Sequence, residues 1–355
     1  MGQTNWASAI ANAQQVLTSS PENSEAKTIL ETATAALEKI KARQKQAAIL
    51  LEKTIASDQG KYNAEAINWL KEAETLDPGN TAITDLLGKI STYPRTIRIP
   101  EDEATPAAAI AAARDHDTIS LSVGSWQGPL TVNKKIHLQG VSGTIIECPA
   151  EAGSAITIMP EAKGAEISNI TFRHHTTFIE AERFSTALVR SGSATFTDCQ
   201  FINASGHGLA VIDGGRAIVV RSKFSENGWN GAAVIGTGSN LDLRDSESFK
   251  NQHNGIESWS GATVVLMNNR CEANGRNGIH ASSATGSSVI EGNQLIGNSE
   301  YGAVIDSGDS GKIGKNTAKT NQLGGFVIRA AAAKIPVIEN QAIQNNGPGW
   351  IIEKA

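Results

Sequence analysis

The sequence predicts a mainly-β molecule. Residues 118–355 form a right-handed parallel β-helix of about nine coils, and an α-helical segment precedes it. Three observations carry this. Gly208, Gly231, Gly255, Gly278, Gly302, Gly325 and Gly349 recur at alternating intervals of 23 and 24 residues, a period that marks one coil of a stacked solenoid. A short apolar run follows each of the first six, as in Leu209-Ala210-Val211-Ile212 and Ala303-Val304-Ile305-Asp306. The 355 residues include 34 glycines and only 5% aromatics, a balance that fits short strands joined by tight turns. Leucine-rich repeats share the period, but their Leu pattern and helical segments are missing here.

Residues 1–95 read as helices. Trp6, Ala9, Ile10, Ala13 and Val16 fall on one helical face. Pro21-Glu22-Asn23 then breaks the pattern. Ala26 to Ile40 and Ala47 to Ile55 continue with no clean turn between residues 22 and 57, so one long helix is expected there. Ala66-x3-Leu70-x2-Ala73-x4-Pro78-Gly79-Asn80-x2-Ala82 resembles the second half of a tetratricopeptide repeat, in which small residues let paired helices approach. The resemblance implies a spacer, an oligomerisation arm or a protein-binding element. Because the first repeat lacks its partner helix, the expectation is a piece of a longer protein.

Residues 96–117 are expected to be a linker with a short Ala-rich helix, Pro106 to Arg114. Such a helix would cover the open first coil, whose strand edges and interior need protection. With the strand Thr118-Ile119-Ser120-Leu121 that follows, this opening resembles pectate-lyase-like β-helix proteins, including their carbohydrate-binding and sugar-hydrolase members. The resemblance covers about two thirds of the chain. It implies the fold and a polysaccharide or glycan partner, and leans towards a bacterial extracytoplasmic or cell-envelope setting. It does not select an activity, since the fold hosts lyases, hydrolases, epimerases and non-enzymes.

Two polar series run through the coils. Asn203, Asn227, Asn251, Asn274, Asn298, Asn321 and Asn345 form one; Asp198, Ser222, Ser246, Asn269, Asn293, Asn316 and Asn340 form the other. Asn accepts left-handed turn geometry and can stack its side chain in ladders, so both series are read as structural.

Alternation along each strand places the residues two and four after the repeat Gly on the outer face. In the later coils these are Glu257, Trp259, His280, Ser282, Asp306 and Arg329. Two residues before the Gly, the turns add Trp229, His253, Arg276 and Glu300, with Tyr301 following. Trp faces stack on pyranose rings and charged groups fix hydroxyls or carboxylates. Trp229, His253, Trp259, Arg276, Glu300 and Tyr301 are therefore candidate ligand-binding residues. In a catalytic version Glu257 or Asp306 acts as acid or base, His280 lies between them, and Arg329 neutralises developing charge. Ala210, Ile212, Ala233 and Ile235 occupy the same positions in earlier coils and are expected to form an exposed apolar cluster.

Other groups carry less. Asp115-His116-Asp117 reads as a structural turn. His174-His175 lies in an irregular stretch, 173–184, with Glu180, Glu182 and Arg183, where a loop over a groove is expected. No ligand set of metal-site spacing, calcium-type carboxylate cluster, phosphate loop or Ser-His-Asp arrangement stands out, so no metal or cofactor is expected. Cys148, Cys199 and Cys271 read as buried thiols. A net charge of -5 disfavours nucleic acid and anionic membranes, and no apolar run is long enough to span a bilayer.

The functional expectation is a polysaccharide-recognition module on a helical arm, without turnover. Two alternatives stay open: a polysaccharide lyase, hydrolase or epimerase using the outer face, and a protein-interaction scaffold. The uncapped C-terminal coil carries an expectation of self-association or a further downstream segment.

Overall fold

The computed structural model describes residues 3–176, 183–282, 288–306, 311–329 and 337–353. The chain divides into two compact units, Met1–Arg95 and Thr96–Ala355.

The first unit holds helices α1 (Gln3–Ser19), α2 (Ser24–Ser57), α3 (Ala64–Leu76) and α4 (Thr81–Ser91). Asn begins three of them: the side chains of Asn23, Asn63 and Asn80 accept from backbone N–H groups of the first turn, satisfying donors that helix geometry leaves free. The segment without a turn is indeed one 34-residue helix, α2. Ala47, Leu50, Ala66, Ile67, Leu70, Ala73, Ile83 and Ile90 form this unit's core. Its alanines allow close helix packing.

The second unit is a β-solenoid of three parallel sheets, with 11, 10 and 10 strands among the described residues and about ten turns. Each strand pairs in parallel with the equivalent strand of the next coil, as Ile256–Trp259 does with Ala232–Ile235. The stack begins earlier than residue 118. The strand Thr96–Ile99 pairs in register with Thr118–Leu121, so part of the stretch read as linker belongs to a sheet. Between them α5 (Pro106–Ala112) sends Ala109 and Ile110 into the interior. Lys134 Nζ donates to the carbonyls of Ile110, Ala111 and Ala113 at 2.9, 2.8 and 2.7 Å, placing a cation where the helix dipole is negative.

One continuous apolar cluster fills the solenoid. Phe172, Phe201 and Phe224 stack along its axis with centroids 5.6 and 4.8 Å apart. The repeat glycines are required by crowding: a Cβ on Gly255 would lie 2.5 Å from Gly278 O.

The polar ladders form at both turns, with one correction of register. Asn227, Asn251, Asn274, Asn298, Asn321 and Asn345 are joined amide to amide, for example Asn251 Nδ2 to Asn274 Oδ1 at 2.9 Å. Asn203 is outside this ladder, and Ala204 occupies the equivalent slot, its N–H donating to Asn227 Oδ1. Likewise Cys199, not Asp198, precedes Ser222 in the second ladder. Asn203 and Asp198 instead take the left-handed position one residue earlier, shared with Glu226, Lys250 and Ala273. The stacked amides are therefore a different set from the left-handed residues. All three cysteines are buried and free, and burial pushes the Cys199 and Cys271 thiols up to about 12.

Candidate functional site

The outer face of the third sheet carries the proposed strip. In the coils headed by Gly208 to Gly325 the residues one and three after the repeat Gly are buried, as Ile256 and Ile279 are, so the intervening side chains face out. Glu257 pairs with His280 across adjacent strands. His280 Nδ1 lies 3.0 Å from Glu257 Oε1 and Nε2 2.8 Å from Asp306 Oδ2, an arrangement that the doubly protonated imidazolium satisfies. Arg329 Nη1 donates to Asp306 Oδ1, and Arg329 Nε lies 3.5 Å from Glu353 Oε2. At the other end Asn230 Nδ2 donates to Glu257 Oε2 at 2.6 Å. The result is an unbroken polar row over six coils: Asn230, Glu257, His280, Asp306, Arg329, Glu353.

The row is half-shielded. Side chains of Glu257, His280 and Asp306 are 20, 22 and 26% exposed. Burial pushes the Glu257 carboxyl up, but the hydrogen bond and charge of His280, with bonds from Asn230 and Asn254, outweigh it and hold it below the usual range. For His280 burial works against the charge. Hydrogen bonds to Glu257 and Asp306 and their negative charges prevail and raise its pKa.

The turn residues stack into a second column. Backbone bonds stack one residue per coil: the N–H of His253 donates to Trp229 O, that of Arg276 to His253 O and that of Glu300 to Arg276 O, at 3.0, 3.0 and 2.9 Å. Arg276 is exposed, and His253, Glu300 and Tyr301 are half-buried. Burial, then the charges of Arg276 and Arg183, lowers the His253 pKa against the pull of Glu257 and Glu300. Glu300 Oε2 accepts from Asn277 Nδ2 at 3.2 Å. Trp229 and Trp259, both half-buried, each pack against His207, with ring centroids 5.0 and 6.0 Å from it. Arg183 lies over Trp229 at 5.7 Å.

Sequence reasoning missed part of this. Asn230, Asn254 and Asn277, each just before a repeat Gly, form a third ladder on the outside. The N–H of Asn254 donates to Asn230 Oδ1 and that of Asn277 to Asn254 Oδ1, at 2.9 and 3.0 Å. Their recurrence was readable at the same period. His207, at the ladder's head, had no such signal.

The apolar cluster expected in the earlier coils is not exposed. Ala210 and Ala233 are buried, at 4 and 0% exposure, and Ile212 and Ile235 are half-buried. An Ala methyl does not rise above the side chains around it. Asp117 is buried and accepts from the Arg114 N–H at 2.9 Å, while His116 takes φ 69°, so this cluster is a turn. His174 accepts at Nδ1 from the Ser205 N–H (3.0 Å) and meets Gly153 O at Nε2 (2.9 Å). Both nitrogens are used inside the protein, which leaves none for a metal. His174, His175 and Arg183 line a cavity of about 800 Å³; Glu180 and Glu182 lie outside the described residues.

A parallel β-solenoid with a polar row and an aromatic pair on one outer face is the class that fold and site define. The chain belongs to the right handed beta helix region family, whose model matches residues 122–248 and 242–354. Among solved structures it is similar to pectate lyase Pel9A, with 15% identity, 72% of this chain and 78% of that chain covered and a TM-score of 0.53. It is also similar to the A-module of the mannuronan C-5 epimerase AlgE4 of Azotobacter vinelandii, with 14% identity, 74% and 98% covered and a TM-score of 0.39. At these identities the likeness is one of fold. No curated protein sequence matches the chain significantly.

Proposed function

We propose that the outer face of the third sheet binds a polysaccharide and does not turn it over. The observation that carries this is the pairing of two surfaces. Trp229 and Trp259 both pack against His207, and beside them runs the row Glu257–His280–Asp306–Arg329. Indole faces take the apolar side of a sugar ring, and fixed carboxylates and guanidinium groups take its hydroxyls. Recognition is favoured over chemistry by how fully the row is engaged. Both His280 nitrogens meet carboxylates, Glu257 oxygens meet His280 and Asn230, and Asp306 oxygens meet His280 and Arg329. A general base needs a lone pair within reach of a substrate proton, and here every carboxylate oxygen of Glu257 and Asp306 already accepts one protein hydrogen bond. The likeness to a pectate lyase adds the fold and no residue roles.

Titration calorimetry and affinity electrophoresis against polysaccharides test the reading. Binding that Trp259→Ala weakens about tenfold or more supports it. The lyase, hydrolase or epimerase alternative rests on the same clamped imidazole, which would need one carboxylate released by substrate. Reducing-sugar release, ultraviolet product formation or C5 inversion that disappears in Glu257→Gln and Asp306→Asn would establish it in place of simple binding.

A further inference from the structure

The turns that join the second sheet to the third form a recess of about 800 Å³, a size that suits a small ligand or a segment of a larger one. Its shape follows from one repeated position. Three residues before the repeat Gly stand Ser205, Gly228 and Gln252 in successive coils. The first two are small and buried, so the wall dips there, while Gln252 is long and exposed and bounds the dip. Two residues earlier in the turn, Asn203 and Glu226 line the recess from exposed positions with φ of 53° and 59°. Arg183 joins the recess to the strip on the third sheet. It lines the recess, donates from Nη1 to Gly228 O at 3.3 Å and lies over the Trp229 ring.

Some of the lining is already engaged. His174 uses both ring nitrogens inside the protein. Ser205 Oγ accepts from the Phe184 N–H and donates to Phe184 O, at 3.1 and 3.2 Å. Thr176 Oγ1 accepts from the Ala150 N–H and donates to Glu151 Oε2, at 2.8 and 3.0 Å. By contrast, the side chains of Asn203, Glu226 and Gln252 have no protein partner among the described residues, and Arg183 has donors beyond the one on Gly228 O. Ala204 is the only aliphatic residue of the described lining, so an apolar ligand finds little to pack against. Arg183 and Glu226 carry opposite charges, which suits neither a bare anion nor a bare cation. A compound with neighbouring hydroxyls does fit, because a carboxamide, a carboxylate or a guanidinium can pair with two of them at once.

We infer that this recess is a saccharide subsite adjoining the strip at Trp229, in which Asn203, Glu226, Gln252 and Arg183 bind the hydroxyls of a sugar segment. The inference rests on the glycan-binding reading above and extends it around the corner of the solenoid.

The test uses the full chain in titration calorimetry with oligosaccharides of galactan, xylan, mannan, glucan, polygalacturonate and alginate. The expected result is that Glu226→Ala combined with Gln252→Ala weakens the best of these about tenfold. Both side chains are exposed, and alanine is compatible with the Glu226 backbone, since Ala273 holds the equivalent left-handed position. Thermal melts of the variant should therefore match the wild type. Lys250→Ala alters the same turn position one coil on, outside the described lining, and should leave affinity unchanged. Affinity that falls in Trp259→Ala but not in the double variant overturns the inference and leaves the glycan reading standing. An equal loss in Lys250→Ala marks a general surface effect and also overturns the inference. Failure of every oligosaccharide to bind the wild type overturns the reading itself.

Discussion

At the scale of single residues, the imidazoles of His280 and His207 respond to pH in opposite senses. His280 holds its proton more tightly folded than unfolded. Its stabilisation is complete below the unfolded value near 6.5 and is lost as pH rises through the raised one. The difference in unfolding free energy between the wild type and His280→Gln should therefore shrink between pH 6 and pH 9, as read by urea denaturation at each pH. His207 is held neutral down to about pH 4, whereas unfolded it takes up a proton below about 6.5. Stability is lost as pH falls through that interval, and His207→Phe should recover up to about 3 kcal/mol at pH 4.5 relative to pH 7.5. Ser258 presents a simpler case. Its hydroxyl lies in the interior with no partner among the described residues, and Ser258→Ala should stabilise by about 1 kcal/mol, raising the midpoint of thermal unfolding. Glu257, His280, Asp306 and Arg329 were legible in the sequence because period-two alternation and the repeat spacing together assign a face to each residue. His207 was not, because burial and tautomer depend on rings from two later coils.

At the scale of elements, the turns do more than reverse the chain. Asn274 accepts from the N–H and Nδ2 of Asn251 and donates to Ser248 O and Asn298 Oδ1. Asn274→Ala removes all of these inside a dry ladder and should cost about 3 kcal/mol in chemical denaturation. One residue earlier the geometry is left-handed and the side chain is free of the ladder. Ala273 has φ 53° there, and Ala273→Gly should be neutral or stabilising by up to about 1 kcal/mol. The sequence showed that Asn recurs at turns, but the alternation of 23 and 24 residues blurs register by one. Asn203 and Asp198 were accordingly assigned to ladders that Ala204 and Cys199 occupy. The helices of the first unit were clearer, since Asn23, Asn63 and Asn80 mark their starts by a local, one-residue signal.

At the scale of the molecule, stacking turns sequence distance into a ruler. Trp229 and Arg329 are four inter-coil steps apart, about 19 Å at sheet spacing. Affinity should rise with oligosaccharide length until that span is covered and then level off, as calorimetry on a size series would show. The solenoid also separates architecture from recognition. Strand pairing joins each coil only to its neighbours, and Arg270 pairs with Gln294 one turn on. Excising residues 270–293 would bring Gln294 to the place Arg270 now holds, with the Asn amides still meeting across the seam. The shortened chain should fold, one rung lower. Yet it would have lost His280, and Glu257 would face Val304, an isoleucine-like hydrocarbon neighbour in place of an ionic one. Evolution can thus lengthen or trim such a tower by whole storeys, and each change redraws the pattern written on its outside wall.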